Sequence, residues 1–390
     1  MKPCFSQRTS DTMESFIMKL IAVANKPGMI SFATGLPDKR LFDVKGIEKA
    51  AVEVMESEEA GDALQYGVTE GLPSLRKKIA DRCRKTMNID TGIENVFITN
   101  GSQECFDNLG KMFIDGGDRM IVENPCYLGA LQSYSVYAPK YIGVDLNADG
   151  PDIDQFAAAL KEKPKLFYGI PNFQNPSGTC YSEESRRQIA EMLSDSETLM
   201  IEDDAYGELG YDGRAGRAIR SMSDNVVLTG SYSKIISPGM RIGWMIIPDW
   251  MIERSKVSLE AGCLHAGSFS QRIMDRFLDD NDLDTYLGPI RAEYKRKKDL
   301  FVDLMEDGLP DTMSWNDPTG GIFIWLLTPD DTDAMRLYDA ALSKKLVIMP
   351  GHPFHVRNGR NTIRLNFATA DDEDIKRGME ILSKVCRDMF

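Results

Sequence analysis

From about residue 95 onward, short apolar runs alternate with stretches of helical period. "NVFITNGSQ" reads as a strand running into a helix, "ECFDNLGKMFI", in which Leu109, Met112 and Phe113 recur at helical spacing. "DRMIVENPCY" is a second strand and turn, and "KLFYGIPNFQNPSG" repeats the design before a helix that Ser182 is placed to cap, with Glu183 and Glu184 in its first turn. "ETLMIEDDAYGEL" and "NVVLTGSYSK" add two further strands, each ending in polar residues. Alternation of this kind predicts an α/β fold with a mainly parallel sheet sandwiched by helices, and such sheets bind ligands at the strand ends where these polar residues gather.

After Asp280 the texture changes. A charged helix, "PIRAEYKRKKDLFVDLMED", is followed by a "GGIFIWLL" strand, an amphipathic "DAMRLYDAALSKK", a "LVIMPG" strand and "TIRLNFA", which together predict a smaller α/β unit. With the boundary near residue 285, the large unit spans 46–285, and the small unit joins 1–45 to 286–390. The N-terminal "SFIMKLIAVANKPG" is interrupted by Lys19 and preceded by acidic residues, so it resembles neither a signal segment nor a membrane span. It reads as an amphipathic helix that clasps another subunit.

The totals narrow the function. A chain of 390 residues exceeds what one core usually supports, in keeping with two units. A net charge of −14, with no basic stripe to offset it, repels a polyphosphate backbone, so nucleic acid is not expected as a ligand. Cys4, Cys83, Cys105, Cys126, Cys180, Cys263 and Cys386 are odd in number, scattered and free of any CxxC pair, which suits reduced thiols in a cytoplasmic protein. His352 and His355 share a stretch with Gly351 and Pro353, a loop rather than a helical face, and no carboxylate motif completes a metal site there.

The chemistry centres on "GSYSKIISPGMRIGW". Here Lys234 follows the apolar run Val226-Val227-Leu228 and stands among small hydroxyl residues, with Arg241 seven positions on. A lysine in a partly dry, positively biased pocket loses its proton readily and can form a Schiff base, whereas a salt-bridged turn lysine is the plain alternative. Arg241, Ser231 and Ser233 are suited to an anion. Gly101, Ser102 and Gln103 open a helix whose free N–H groups favour a single phosphate, without the spacing of a Walker loop or a dinucleotide fingerprint. At the end of "IEDDAYGEL", strand alternation turns one acid inward; Asp203, with Tyr206 three residues on, can pair with a protonated ring nitrogen, leaving Glu202 and Asp204 for solvent. Asn175 can bond a phenolate-like oxygen or merely form its turn, and Tyr127 offers a stacking face or core packing. A phosphate cradle, a ring carboxylate, donors to a ring oxygen, a stacking ring and an amine are together what pyridoxal 5′-phosphate requires.

Nine ordered motifs, "FATGLPD", "LQYGVTEGLPSLR", "TNGSQE", "ENPCYLGA", "PNFQNPSG", "EDDAYGEL", "SYSKIISPGMRIGW", "PTGGIFIW" and "IRLNFA", make the chain resemble the fold-type-I, class I/II aminotransferases over nearly its whole length. The branch it resembles contains aminoadipate, kynurenine and aromatic aminotransferases, and the resemblance implies a mainly parallel, seven-stranded-type sheet in the large unit. The resemblance implies that Lys234, Asp203 and Tyr127 are catalytic: Lys234 as the Schiff-base partner, Asp203 on the ring nitrogen and Tyr127 stacked on the ring. It further implies that Asn175 and Tyr206 contact the ring oxygen, that Gly101, Ser102, Gln103, Ser231, Ser233 and Arg241 hold the phosphate, and that Tyr66 reaches the phosphate of a neighbouring subunit. Arg364 would grip a substrate α-carboxylate, with help from Gly35 and Asn175. The partners implied are an amino acid and a 2-oxo acid, 2-oxoglutarate first among them, in a homodimer with shared sites. Two other readings stay open: a different pyridoxal phosphate reaction (lyase, cyclase or oxidase), and an amino-acid-sensing protein of the kind fused to DNA-binding domains, for which the roughly 30 residues before "FATGLPD" are too few.

Overall fold

The computed structural model describes residues 3–6, 8, 9, 12 and 16–390. Fourteen strands are present among them: β1 (Ile30–Ser31), β2 (Val96–Thr99), β3 (Arg119–Asn124), β4 (Lys140–Asn147), β5 (Gly150–Pro151), β6 (Leu166–Gly169), β7 (Leu199–Asp204), β8 (Val226–Ser231), β9 (Gly243–Ile246), β10 (Ser314–Trp315), β11 (Phe323–Leu327), β12 (Leu346–Val347), β13 (Met349–Pro350) and β14 (Thr362–Asn366). The first part of the N-terminal 1–45 segment thus lies partly outside the described residues; its helix, Phe16–Ala24, lies within them.

The large sheet runs β2-β9-β8-β7-β6-β3-β4-β5. Strands β4, β3, β6, β7 and β8 are parallel neighbours, whereas β9 is antiparallel to both β8 and β2, and the two-residue β5 is a hairpin on the outer edge of β4. The expected seven-strand sheet is therefore extended by one short strand. Near-continuous apolar strands follow from helices on both faces. Met120, Val122, Leu166, Tyr168 and Ile201 pack on one side, and the alternate residues Ile121, Phe167 and Met200 pack on the other. Phe167, fully buried with its ring 4.8 Å from that of Phe156, locks the second face; its replacement by alanine would cost about 3–5 kcal/mol.

Strand order reverses at β3, because β4 lies on one side of it and β6 on the other. The carboxyl ends of β3 and β6 therefore frame a crevice, the usual ligand position of an open α/β sheet. Ser182 caps the helix Glu183–Ser194 by accepting from the Ser185 N–H, as its sequence position predicted. The long charged helix is Leu283–Gly308; it begins six residues before Pro289 because Asp282 caps it by accepting from the Thr285 N–H. Pro289 falls inside it.

The C-terminal part carries an antiparallel sheet, β10-β11-β14-β13. The "LVIMPG" stretch, expected as one strand, is divided between β12 and β13, which pair with different partners. Parallel pairing of β1 with β12 sets Ile30 opposite Leu346, and the Asn366 N–H donates to the Phe32 carbonyl at 2.7 Å. The loop that follows is held by a buried ion pair: Lys297 Nζ lies 2.8 Å from Asp38 Oδ2 and donates to the Ala368 carbonyl. Leaving either charge unpaired there would cost about 3–5 kcal/mol. These contacts bring Ala33 and Gly35 to the mouth of the crevice.

Candidate active site

Four of the five parallel strands deliver one polar element each to the crevice. Tyr127 follows β3, Asn175 follows β6, Asp203 lies near the end of β7, and Lys234 follows β8 on a single 3₁₀ turn, Tyr232–Lys234, whose cap Ser231 accepts from the Ser233 N–H at 3.0 Å. A cavity of about 150 Å³ is lined by Ser102, Gln103, Tyr127, Asn175, Asp203, Tyr206, Ser231, Ser233, Lys234 and Arg241, together with Ile170, Ala205 and Pro238. The sequence-predicted residues are thus brought together, with Gly101, Gly35 and Arg364 at the margins.

Lys234 Nζ donates to the Gly35 carbonyl at 3.0 Å and stands 5.9 Å from the centre of the Tyr206 ring. Burial lowers its pKa to about 8, with repulsion from Arg364 and Arg241 adding to the shift and attraction by Asp203 opposing it. A substantial fraction of the amine is then neutral near physiological pH, as a nucleophile or base requires.

Asp203 is buried, and burial raises its carboxyl to about 6 against the hydrogen bonds that favour its anion. Tyr168 OH donates to Oδ2 at 2.7 Å and Thr229 Oγ1 to Oδ1 at 3.2 Å. A cationic N–H facing this carboxylate would complete its shell and pull its pKa down. Its neighbours depart from the solvated state expected of them. Glu202 is fully buried, accepts from the Ile219 and Arg220 N–H groups, and is pushed up to about 7 by burial; Asp204 accepts from Asn172 and pairs with Arg214 at 2.6 Å. Strand alternation turns them away from Asp203, but helices and loops cover that face as well.

At the other end, Gly101 (φ 86°) begins the helix Ser102–Phe113. A Cβ at Gly101 would collide with the Arg241 guanidinium, so the glycine both permits the left-handed backbone and lets that cation approach the helix start. Arg241, itself at φ 56°, donates from Nη2 to the Asn100 carbonyl at 2.8 Å. The Gln103 side chain is turned away, its Nε2 donating to the Gly129 carbonyl, which leaves the backbone N–H to face an anion. Three hydroxyls, a guanidinium and free main-chain donors with no carboxylate among the lining groups at this end fit a phosphate.

Tyr127 lies across Gly129, where a Cβ would strike its ring. Arg364, fully buried on β14, donates from Nη1 to Asn175 Oδ1 at 2.9 Å and from Nη2 to the Ala33 carbonyl at 2.6 Å. It is stacked 4.4 Å from the Phe323 ring centre and 5.1 Å from that of Phe354. Burial lowers it to about 10, so it remains a cation, and its Nε has no hydrogen-bond partner. Gly35 leaves room beside it, a Cβ there lying 3.8 Å from Nη1. Tyr66 stands apart: it is 77% exposed, its ring edge-on to His265, outside the cavity of its own chain. Taken together, a lysine of lowered pKa, a buried carboxylate, a stacking ring and a phosphate cradle fit pyridoxal phosphate.

Three supporting residues escaped the sequence. Tyr168 and Thr229 reach Asp203 only through the β6–β7–β8 register, and Glu123, fully buried, accepts from the Ile170 N–H, Gln174 Nε2 and Tyr181 OH behind Asn175. Burial pushes Glu123 up to about 7. Strand ends flagged their neighbours, but no local signal gave these pairings.

The sequence model described as aminotransferase class I and II matches residues 27–382. The aromatic-amino-acid aminotransferase 1 of Thermococcus litoralis is 33% identical over 393 residues, covering 98% of this chain and 94% of that protein. The 2-aminoadipate transaminase of Thermus thermophilus is 31% identical over 394 residues, covering 99% and 97%. Among solved structures, the Pyrococcus horikoshii kynurenine aminotransferase in complex with PMP superposes with a TM-score of 0.94 at 32% identity, covering 99% of this chain and 97% of that one.

Proposed function

The chain belongs to the class I and II aminotransferases, and from its standing as a pyridoxal phosphate-dependent enzyme of amino-group transfer we propose how its own residues divide the work. The cofactor, when bound, supplies an aldehyde that takes up the amino group and a protonated ring that draws electrons from the substrate carbon. Asp203 holds the proton on the ring nitrogen, with Tyr168 and Thr229 fixing its oxygens. Tyr127 would stack on the ring, and Asn175 and Tyr206 would donate to the ring oxygen. Ser102, Ser231, Ser233, Arg241 and the N–H groups of Gly101, Ser102 and Gln103 hold the phosphate. Lys234 would be the point of covalent attachment, and as a free amine its Nζ would take the proton from the substrate Cα.

Arg364 clamps the substrate α-carboxylate as a planar fork, which orients the Cα–H bond toward Lys234. The observation that carries this reading is the contact of Lys234 Nζ with the Gly35 carbonyl, close beside Arg364, because it sets the base and the carboxylate clamp at the same substrate carbon. We further propose 2-oxoglutarate as the acceptor, a division into 46–285 and 1–45 with 286–390, a cytoplasmic setting for seven unpaired cysteines, and a homodimer. Tyr66 supports the dimer: it is exposed between Leu64 (70%) and Val68 (54%), apolar surface that a second subunit would cover while taking the tyrosine toward its phosphate.

A panel of amino donors with 2-oxoglutarate tests the reaction. Glutamate formed in step with consumed donor, without free ammonia, is the expected result; ammonia release without glutamate would replace transfer by elimination or oxidation. Sedimentation should give twice the chain mass, and a monomer would remove Tyr66 from the site.

A further inference from the structure

Glu123 lies fully buried on β3, and the three donors it receives are all neutral. Its Oε1 accepts from the Ile170 N–H at 2.9 Å and from Tyr181 OH, and its Oε2 accepts from Gln174 Nε2 at 2.9 Å. The Gln174 amide is fixed in turn. Its Oε1 accepts from the Ser177 N–H at 2.8 Å and from Ser177 Oγ at 2.7 Å, while its Nε2 also donates to the Pro125 carbonyl at 2.8 Å. One carboxylate thus joins the end of β3, where Pro125 leads to Tyr127, to the loop after β6, in which Gln174 is followed by Asn175. Asn175 Oδ1 accepts from Arg364 Nη1, which turns its Nδ2 the other way, toward Tyr206 and the cavity. Only a carboxylate suits this arrangement. In a glutamine at 123, either placement of the amide would set its N–H groups against another N–H, that of Gln174 or that of Ile170.

We propose that Glu123 is a positioning residue: it locks the loop after β6 to the end of β3 and thereby sets the Asn175 amide against the ring oxygen of the cofactor. The proposal rests on the reading of Asn175 as a donor to that oxygen. Main-chain bonds from the Gln174 N–H to the Thr179 carbonyl and from the Gly178 N–H to the Gln174 carbonyl close the loop on itself, so side chains must place its tip. Gln174 does so on the sheet side, through Glu123 and Pro125, and Asn316 Nδ2 holds the Ser177 carbonyl at 2.9 Å from the other. Releasing Gln174 frees Asn175 to shift, and a hydrogen bond weakens steeply once its donor is misaligned. Glu123 touches neither the cavity nor its contents; it acts through Gln174.

The test compares two ligands on the cofactor-free full chain at one pH: pyridoxal 5′-phosphate, and its 3-deoxy analogue, which lacks the ring oxygen. Glu123→Gln should weaken the first about five- to ten-fold, the loss of one hydrogen bond, and the second by less than about two-fold. Glu202→Gln is the matched control. Glu202 is equally buried and accepts two main-chain N–H groups, those of Ile219 and Arg220, which lie outside the cavity lining. That variant should lower the melting temperature as Glu123→Gln does, yet leave the ratio of the two affinities at the wild-type value. Gln174→Met removes the amide and keeps the carboxylate, so it should repeat the Glu123→Gln pattern, and the double variant should lose no more than either single one. If Glu123→Gln does not fold, Gln174→Met still decides. Asn175→Ala separates the two levels of the argument: if it weakens both ligands alike, the ring-oxygen reading fails and the proposal with it. If Asn175→Ala is selective for pyridoxal phosphate while Glu123→Gln or Gln174→Met weakens both ligands alike or neither, the proposal alone is overturned.

Discussion

Replacing Tyr168 by phenylalanine removes one hydroxyl and leaves the packing, since the ring stays edge-on to Phe106 at 5.3 Å. What is lost is the 2.7 Å hydrogen bond to Asp203 Oδ2. A hydrogen bond to a charged group is worth about 1.5–3 kcal/mol, or about 1–2 pKa units, so the cofactor-free carboxyl moves up from about 6 by that amount. Other charges and titratable groups around it stay in place: Asp204, Lys234, Glu123, Cys105, Cys126, Tyr127, Tyr134 and Tyr206. The sign is fixed by linkage. A carboxyl whose folded pKa is raised favours its protonated form, and only the anion can pair with the ring N–H. At pH 7 the ionised fraction, and with it cofactor affinity, falls about two- to ten-fold; at pH 6 the deficit is about five- to fifty-fold, and at pH 9 it nearly vanishes. Absorbance titration of the cofactor-free protein with pyridoxal phosphate from pH 6 to 9, wild type against variant, measures it. Equal affinities throughout, or a deficit that does not change with pH, would refute the link between Tyr168 and Asp203.

Arg364→Lys keeps the charge but not the fork, and should lower kcat/KM by about 10²-fold with cofactor absorbance intact, measured by steady-state kinetics; an unaltered kcat/KM would move the carboxylate site elsewhere. Gly101→Ala forces a Cβ onto a left-handed backbone and into the Arg241 guanidinium, so pyridoxal phosphate affinity should fall about ten-fold or more in the same titration while circular dichroism is unchanged. The rate of covalent cofactor uptake by the apoprotein should rise with pH through a midpoint near the Lys234 value of about 8, because only the neutral amine attacks; stopped-flow absorbance that instead rises through the ordinary lysine range would show an undepressed amine.

Much of the site was legible because its residues sit where strands end. Lys234 after β8, Asp203 on β7, Asn175 after β6 and Tyr127 after β3 each stood at the end of an apolar run, and strand alternation was needed only to choose among the acids of β7. Gly101 was legible for its position at a helix start, though not for the clearance it gives Arg241. The burial of Glu202 and Asp204 was missed because alternation fixes which face a side chain takes, while whether that face meets water depends on Arg214 and the loop through Arg220, distant in the chain. The division of "LVIMPG" between two sheets has the same origin: a continuous apolar run carries no record that Leu346 pairs with Ile30 and Met349 with Arg364.

Borohydride reduction of the cofactor-loaded protein, followed by peptide mass mapping, tests the central claim most directly. A phosphopyridoxyl group on the peptide containing Lys234, lost in Lys234→Ala while weak non-covalent cofactor binding persists, is the predicted result. A protein that carries the cofactor on a different lysine, or takes up none, would contradict the account.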